Sequence, residues 1–285
     1  MSFLRQLYNQ KPQAWGPPSQ VQASILSNSD KIGSPPPTRY FPLWEGAGGS
    51  VSDYMSLAPK TFNVPNWLNG SMYSSAYNSG SYISVATSDG KEMLRKEAFA
   101  FIVSGQLSTS RTNGETEGIF YERGVSNSYS ITVHRLSYTN YIRVILNYNY
   151  VNVSFNSPAS TEFVPFRIGA IQNSLSERSG YYNGNKIATD TTTRTTKSTF
   201  DYTIIGRYNI STSYWHGNIF GVLTWAGAIP SEAAYLFLQD NPYYLLQRIA
   251  PVFYSLPGGA IIPTPRNLAG VAYSDHIVWT WEAGV

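Results

Sequence analysis

Three neighbouring stretches decide the fold: YYNGNKIATD at residues 181–190, DYTIIGRYN at 201–209, and WHGNIFGVLTWAGAIPSEAAYLFLQDNPYYLL at 215–246. They read as a hairpin, two buried strands, one short helix and a proline stop. Asn183-Gly184 predicts a two-residue type I′ turn, because both central residues of that turn need positive φ. Ser231 is placed to accept a bond from the free N–H groups of a helix that starts beside it, and Glu232 stands in the first turn, where the helix dipole favours negative charge. Asn241-Pro242 ends the helix, since proline lacks the N–H and restricts the residue before it.

Outward from this block the chain keeps strand texture. AFAFIVSG (98–105), GIFYERG (118–124), SYSITVHRL (128–136), YIRVILNYNYVNVSF (141–155) and FVPFRIGAI (163–171) are rich in β-branched and aromatic residues at close to period two. Within 129–135, Tyr129, Ile131 and Val133 fall on one face and Ser130, Thr132 and His134 on the other, so His134 is expected to face solvent. A second Asn-Gly pair, Asn113-Gly114, predicts another tight turn. Two further stretches carry signatures: YFPLWEGAGGSVSD (40–53), a strand and glycine-rich turn leading to Asp53, and SAYNSGSYISVA (75–86), a glycine before an edge strand from Tyr82 to Ala86.

Taken together, residues 38 to about 250 resemble the laminin-G-like, concanavalin A-type β-sandwich in a form found among bacteriophage virion proteins. The matching motif runs Tyr-x-Asn-Gly (Tyr181 to Gly184), Ile-Gly-Arg (Ile205-Gly206-Arg207), Gly217-Asn218-Ile219 and the short terminal helix. The resemblance implies an all-β antiparallel sandwich or jelly roll with one short C-terminal helix. It implies a fold that serves binding, adhesion and structure alike.

Composition narrows the classes. Charged residues make up 13% of the 285, against roughly 25% in an average soluble domain, while 22 tyrosines and 7 tryptophans supply polar-aromatic surface. Such surfaces suit wet interfaces, where Tyr brings area at low entropic cost. A net charge of +3 with scattered Lys and Arg argues against a nucleic-acid partner. The absence of cysteine excludes disulfides and thiolate metal sites. The N-terminal sequence lacks the apolar segment of a signal peptide, and no apolar run reaches the roughly 18 residues a membrane helix needs.

Residues 1–37 are poor in period and rich in Pro, Gln and Ser, which predicts an extended arm, with Pro35, Pro36 and Pro37 favouring polyproline II. Phe3, Leu4, Leu7, Tyr8, Trp15 and Ile25 are larger apolar groups than a solvated tail carries, so they are the expected anchors on a neighbouring subunit. Residues 251–264 read as a linker. Residues 265–285 resemble the opening strands of a fibronectin type III domain, through Pro265, Asn267, Leu268, Ile277, Trp279 and Trp281.

No catalytic constellation stands out. Glu115 and Glu117 share a face on an exposed strand, Glu122 has the opposite parity, and the spacing departs from the paired carboxylates of a retaining glycosidase. His134, His216 and His276 have no spaced partners for zinc or a triad. Loop acids Asp53, Asp190 and Asp201 are candidate Ca²⁺ ligands, and no other cofactor is implied. For sugars, the candidate contacts are Tyr181, Tyr182, Asn183, Tyr214 and Trp215, since flat rings stack on the apolar face of a sugar and amides bond its hydroxyls. The expectation is therefore a non-enzymatic virion protein, made without a signal peptide and displayed on the particle surface. Its partners would be capsid, portal or tail proteins, further copies of itself, and host-cell glycans, with a carbohydrate-binding adhesin as the alternative and a glycoside hydrolase as a remote one.

Overall fold

The computed structural model describes residues 16–63, 66–68, 71–74, 82–85, 90–108, 116–124, 129–135, 139, 141–148, 151–159, 163–193, 202–208, 213–248, 266–272 and 277–282. The chain divides into two units, Met1–Ile249 and Ala250–Val285.

Among the described residues the first unit opens with helix α1 (Pro18–Lys31). Strands β1 (Arg39–Phe41), β2 (Ser50–Asp53), β3 (Ala58–Asn63), β4 (Trp67–Leu68), β5 (Ser71–Ser74) and β6 (Tyr82–Val85) follow. A 3₁₀ turn at Met93–Arg95 precedes β7 (Phe99–Leu107), β8 (Glu117–Arg123), β9 (Tyr129–Arg135), β10 (Tyr141–Tyr148) and β11 (Val151–Ala159). Then come β12 (Pro165–Ser174), β13 (Glu177–Tyr182), β14 (Asn185–Asp190), β15 (Tyr202–Ile205), β16 (Arg207–Tyr208), β17 (Ser213–Tyr214) and β18 (Gly217–Ala226). Helix α2 (Glu232–Asp240) and a second 3₁₀ turn (Tyr244–Leu246) close the unit.

These strands build a concanavalin A-like sandwich of two sheets. Sheet I runs β14-β13-β12-β7-β18-β5-β4, with β1 on β18; sheet II runs β11-β10-β9-β8-β15-β6-β3-β2, with β17 joined to β8 and β16 to β17. Period two sorts each strand between core and outer face. Val103, Ile168 and Val222 of sheet I meet Phe120, Val133, Val144 and Ile205 of sheet II in the inner core.

Sheet I carries a second core on its outer face. Ala100, Ile102, Ile171, Leu223 and Trp225 are covered there by Val21 and Ile25 of α1 and by Tyr235 and Leu238 of α2. This corrects the extended arm for its described part. Pro18–Lys31 is helical because Pro18 stands in the first turn, where a missing N–H costs nothing, and Val21 and Ile25, four apart, share one buried stripe. Asn28 then ties α1 to the end of the unit, its amide donating to the carbonyls of Tyr244, Leu245 and Gln247, and Trp225 Nε1 donates to the Pro35 carbonyl at 3.0 Å. Ile25 is thus spent inside the chain's own core and is not an exposed anchor. Phe3, Leu4, Leu7, Tyr8 and Trp15 lie outside the described residues.

The second unit contains one antiparallel hairpin, β19 (Arg266–Ala272) with β20 (Ile277–Glu282), in which Gly270 pairs with Trp279 and Val271 with Val278. Among the described residues no helix is long and apolar enough to cross a membrane.

Candidate functional site

The hairpin that carries the first sugar candidates forms as the turn chemistry dictates. Asn183 and Gly184 have φ of 49° and 78°, and β13 pairs with β14 around them. The Asn183 side chain is engaged in the fold: its Oδ1 accepts from the Arg167 N–H at 2.7 Å. The turn itself docks on α2, where the Gly184 N–H donates to Gln239 Oε1 at 2.9 Å. Tyr181 is 2% exposed, packs with its ring tilted against Tyr235 at 4.9 Å between centroids, and donates its hydroxyl to Glu232 at 2.8 Å. Burial, reinforced by that carboxylate, raises the Tyr181 pKa, while bonds from Lys186 and Tyr181 lower that of Glu232.

The other candidates divide. Trp215 is 0% exposed, packed edge-on against Phe166 at 5.8 Å, and Phe166 stacks on Tyr182 at 6.4 Å. Through Phe166 the partly buried Tyr182 meets Trp215 at the inner core, while Tyr181 lies in the second core on the outer face of sheet I. Trp215 and Tyr181 offer no ring face to a sugar, since both are enclosed by packing. Tyr214 differs in place: it lies on the outer face of sheet II, though it too is buried, at 9% exposure, against Tyr82 and Arg207.

That face is the site. Its centre is the crossing of β16 over β8. Gly206 takes φ of 92°, so Ile205 drops into the core while Arg207 emerges outside. The Arg207–Tyr208 backbone then passes directly over Gly118, where a Cβ would stand 2.2 Å from the Tyr208 nitrogen. Only glycine admits this approach. The crossing assembles a tyrosine cluster. Tyr121 lies 5.6 Å from Tyr208 and 6.0 Å from Tyr202, and Tyr82 lies 5.9 Å from Tyr214, all between ring centroids. His134 meets Tyr208 edge-on at 5.5 Å. Ile204 completes the floor, while Tyr82 and Tyr208 remain half-buried at the top.

Three arginines frame the rings. The Arg207 guanidinium sits 4.0 Å over the Tyr82 ring and 5.7 Å from that of Tyr214, the geometry of a cation–π contact. Arg123 donates to the Tyr202 hydroxyl at 2.9 Å, and Arg143 Nε donates to Asn156 Oδ1 at 2.8 Å. His134 is 4% exposed, contrary to the expected solvent position, because Tyr208 folds over it. Burial, followed by the positive charge of Arg143, lowers its pKa to about 3, so it is neutral at ordinary pH.

The carboxylates of β8 point away from this face. A bulge between Gly118 and Phe120 reverses the parity of the strand, so Glu117 and Glu122 both turn inward, at 1% and 2% exposure. Glu117 is therefore not the solvated acid that alternation predicts, and Glu122, expected on the opposite face, shares its inward direction. Glu115 lies outside the described residues. Glu117 faces Arg135 at 3.6 Å and His216 at 3.9 Å. Glu122 accepts from the Leu94 N–H at 2.8 Å, and burial pushes its pKa up to about 7. The two stand opposite Arg135 and Ile131, four residues apart on β9, or about 13 Å along the strand. A retaining pair needs about 5–5.5 Å.

The calcium candidates are also engaged. Asp53 is fully buried, with its oxygens taking the Tyr40 and Met55 N–H groups, the Ser56 hydroxyl and Arg39 at 3.6 Å. Asp190 pairs with Arg178, and Asp201 lies outside the described residues. No group of three or more potential metal-ligating acids or histidines occurs among the described residues.

No protein-family model matches the chain, and no curated protein matches it. Among solved structures it is similar to a Trypanosoma rangeli sialidase in complex with 2,3-difluorosialic acid, at TM-score 0.58 and 10% identity, covering 79% of this chain and 38% of that one. The same sialidase in complex with sialic acid gives TM-score 0.56 and 9% identity over 73% of this chain and 33% of that one. A structure of botulinum neurotoxin type C concerned with its interaction with two ganglioside molecules gives TM-score 0.56 and 15% identity, covering 89% and 63%. The chain thus spans little more than a third of the sialidases. At these identities the likeness establishes the fold. It also overturns the expectation of a non-enzyme, because the sandwich proteins matched include sialidases, which are enzymes.

Proposed function

We propose that the chain is a carbohydrate-binding β-sandwich module and that its binding face is the outer face of sheet II. The observation that carries this reading is the cluster of Tyr82, Tyr121, Tyr202, Tyr208 and Tyr214 on a sheet face that no described helix covers. Tyr82 and Tyr208, half-buried and held at fixed angles by the buried rings of Tyr121, Tyr202 and Tyr214, present apolar area already ordered, so little entropy is lost when a sugar stacks on them. Asn147, Asn156 and the arginines supply hydrogen-bond partners beside the rings. Support also comes from the neighbours, whose structures concern sialic acid and gangliosides.

Of the residues singled out by sequence, Tyr214 belongs to this face. We further place the module on a virion surface, among other virion proteins, on the low charge and tyrosine-rich composition of the chain. Binding to a glycan panel tests the first reading: the wild-type chain binds saturably, and Tyr82→Ala weakens binding at least about tenfold by removing one stacked ring. Equal binding by wild type and Tyr82→Ala would remove the face from consideration. Co-sedimentation with particles of the source virus tests the placement, and absence of saturable binding would remove it.

A further inference from the structure

The binding face has a sign. Facing outward on β8, β9, β10 and β15 are Arg123, Arg143, His134, Ser130, Thr132, Ile145, Tyr121, Tyr202 and Ile204, as the strand registers place them. No Asp or Glu stands among the described residues there, since the bulge in β8 sends Glu117 and Glu122 inward. Yet Arg207 is brought onto this face by a dedicated device, the left-handed Gly206 and the bare Gly118 beneath it.

The state of Arg207 is informative. Tyr82 and Tyr214 hold its guanidinium by their ring faces, and no carboxylate among the described residues lies within ion-pair distance of it. Ring faces fix the plane of the group without consuming its in-plane N–H donors, and its buried Nε has no hydrogen-bond partner. Across Gly118 along the same row stand His134 and then Arg143, whose Nε donates to neutral Asn156. His134 is uncharged and nine-tenths buried, and its Nδ1 is likewise without a partner. A planar cation with open donors beside stacking rings matches a planar or tetrahedral oxyanion on a sugar.

Resting on the carbohydrate-binding reading, we propose that this face selects acidic glycans, with Arg207 receiving the carboxylate or sulfate, the tyrosines stacking on the sugar, and Arg143 adding long-range attraction. The two acid types share this chemistry and differ in shape, so both belong in the test.

The experiment titrates the full chain with matched sets of neutral, sialylated and sulfated glycans, at low and high salt. The acidic members bind about tenfold or more tighter than their neutral counterparts, as a charge-assisted bond to Arg207 requires, and salt narrows the gap. Preference for the sialylated or for the sulfated member identifies which acid the site takes. Arg207→Ala abolishes the preference, read as the ratio of acidic to neutral affinity within the variant, and Arg143→Gln reduces it partially without touching the crossing. A near-ultraviolet circular dichroism spectrum checks that each variant keeps the tyrosine cluster. If wild type binds neutral and acidic members equally, acid selection falls and the carbohydrate reading stands. If Arg207→Ala keeps the preference in a folded chain, the assignment to Arg207 is wrong. If no glycan binds wild type, both readings fall together.

Discussion

The two outer faces of the sandwich come from the same strand alternation and end in opposite states. On sheet I, Ile102, Ile171, Leu223 and Trp225 are sealed under α1 and α2, and even the hydroxyl of Tyr235 is committed, donating to the Phe101 carbonyl at 2.7 Å. On sheet II, the corresponding positions carry Tyr121, Tyr202, Thr132, His134 and Arg143, and no described helix covers them. The first face has exhausted its binding capacity on the chain itself. The second keeps the half-buried rings of Tyr82 and Tyr208 and the Arg207 guanidinium, whose Nε has no hydrogen-bond partner. The same fold therefore separates a stability face from a recognition face, and substitutions should respond accordingly.

The largest effect belongs to sheet I. Trp225 is fully buried beneath the helical cover, so Trp225→Ala leaves a cavity and costs about 3–5 kcal/mol in urea unfolding. If that loss were matched by alanine at half-buried Tyr208, the division between the faces would be wrong.

The sandwich interior gives the next effect, through pH. Glu122 lies between the sheets beside Arg39, Glu92 and Thr203, with its carboxylate bound to the Leu94 N–H. Its pKa is raised to about 7, chiefly by burial, so the folded state holds a proton that the unfolded state releases near pH 4.3. The stability contributed by the neutral acid is fully present below that lower value and is lost as pH rises toward 7, by roughly 3 kcal/mol at most. Glu122→Gln should flatten the stability profile across this window, read as unfolding midpoints from pH 4.5 to 8. An unchanged slope would show that the charge of Glu122 is fully compensated by Arg39.

How far these faces were legible in the sequence depended on the range of the interactions that made them. The Asn183-Gly184 turn and the Ser231 cap (Oγ accepting from the Ala234 N–H at 3.3 Å) are local, and both form as read, whereas the alternation of residues 129–135 sets the two faces of β9 but leaves His134 buried on the outer one. Helix α1 was hidden because its sequence, PSQVQASILSNSDK, is mostly polar and flanked by prolines; only the waiting apolar face of sheet I makes two side chains, Val21 and Ile25, sufficient. The inward turn of Glu117 was hidden because a bulge is a property of two paired strands, and nothing in GIFYERG marks it. Arg207 had a visible clue in the Ile-Gly-Arg motif. Its place over Tyr82, and over Gly118 some ninety positions earlier, follows only from the assembled sheet.

Gly118 turns that last point into a sharper test. Gly118→Ala would put a methyl 2.2 Å from the Tyr208 nitrogen and 2.5 Å from the Arg207 carbonyl carbon, both backbone, so the crossing strand must lift. The expected cost is about 1–3 kcal/mol, with loss of the tyrosine signal in near-ultraviolet circular dichroism and of glycan binding. Retained binding would mean that the face does not depend on the crossing.

The smallest stability change should be the most telling. Tyr208 is half-buried, touching Tyr121 and His134 and no part of the inner core cluster. Tyr208→Ala is expected to cost no more than about 1 kcal/mol, because solvent already reaches much of the ring and the strands beneath keep their ladder. Its glycan affinity should nevertheless fall at least as far as that of Tyr82→Ala, since a stacking ring contributes in proportion to the face it offers a ligand. The same substitution opens His134 to water, so the imidazole pKa should rise from about 3 toward its ordinary value, which the pH titration of its ring-proton NMR signals would follow. A variant that lost stability but kept its glycan affinity would reverse the assignment, making Tyr208 a packing residue and the outer face of sheet II a second sealed surface.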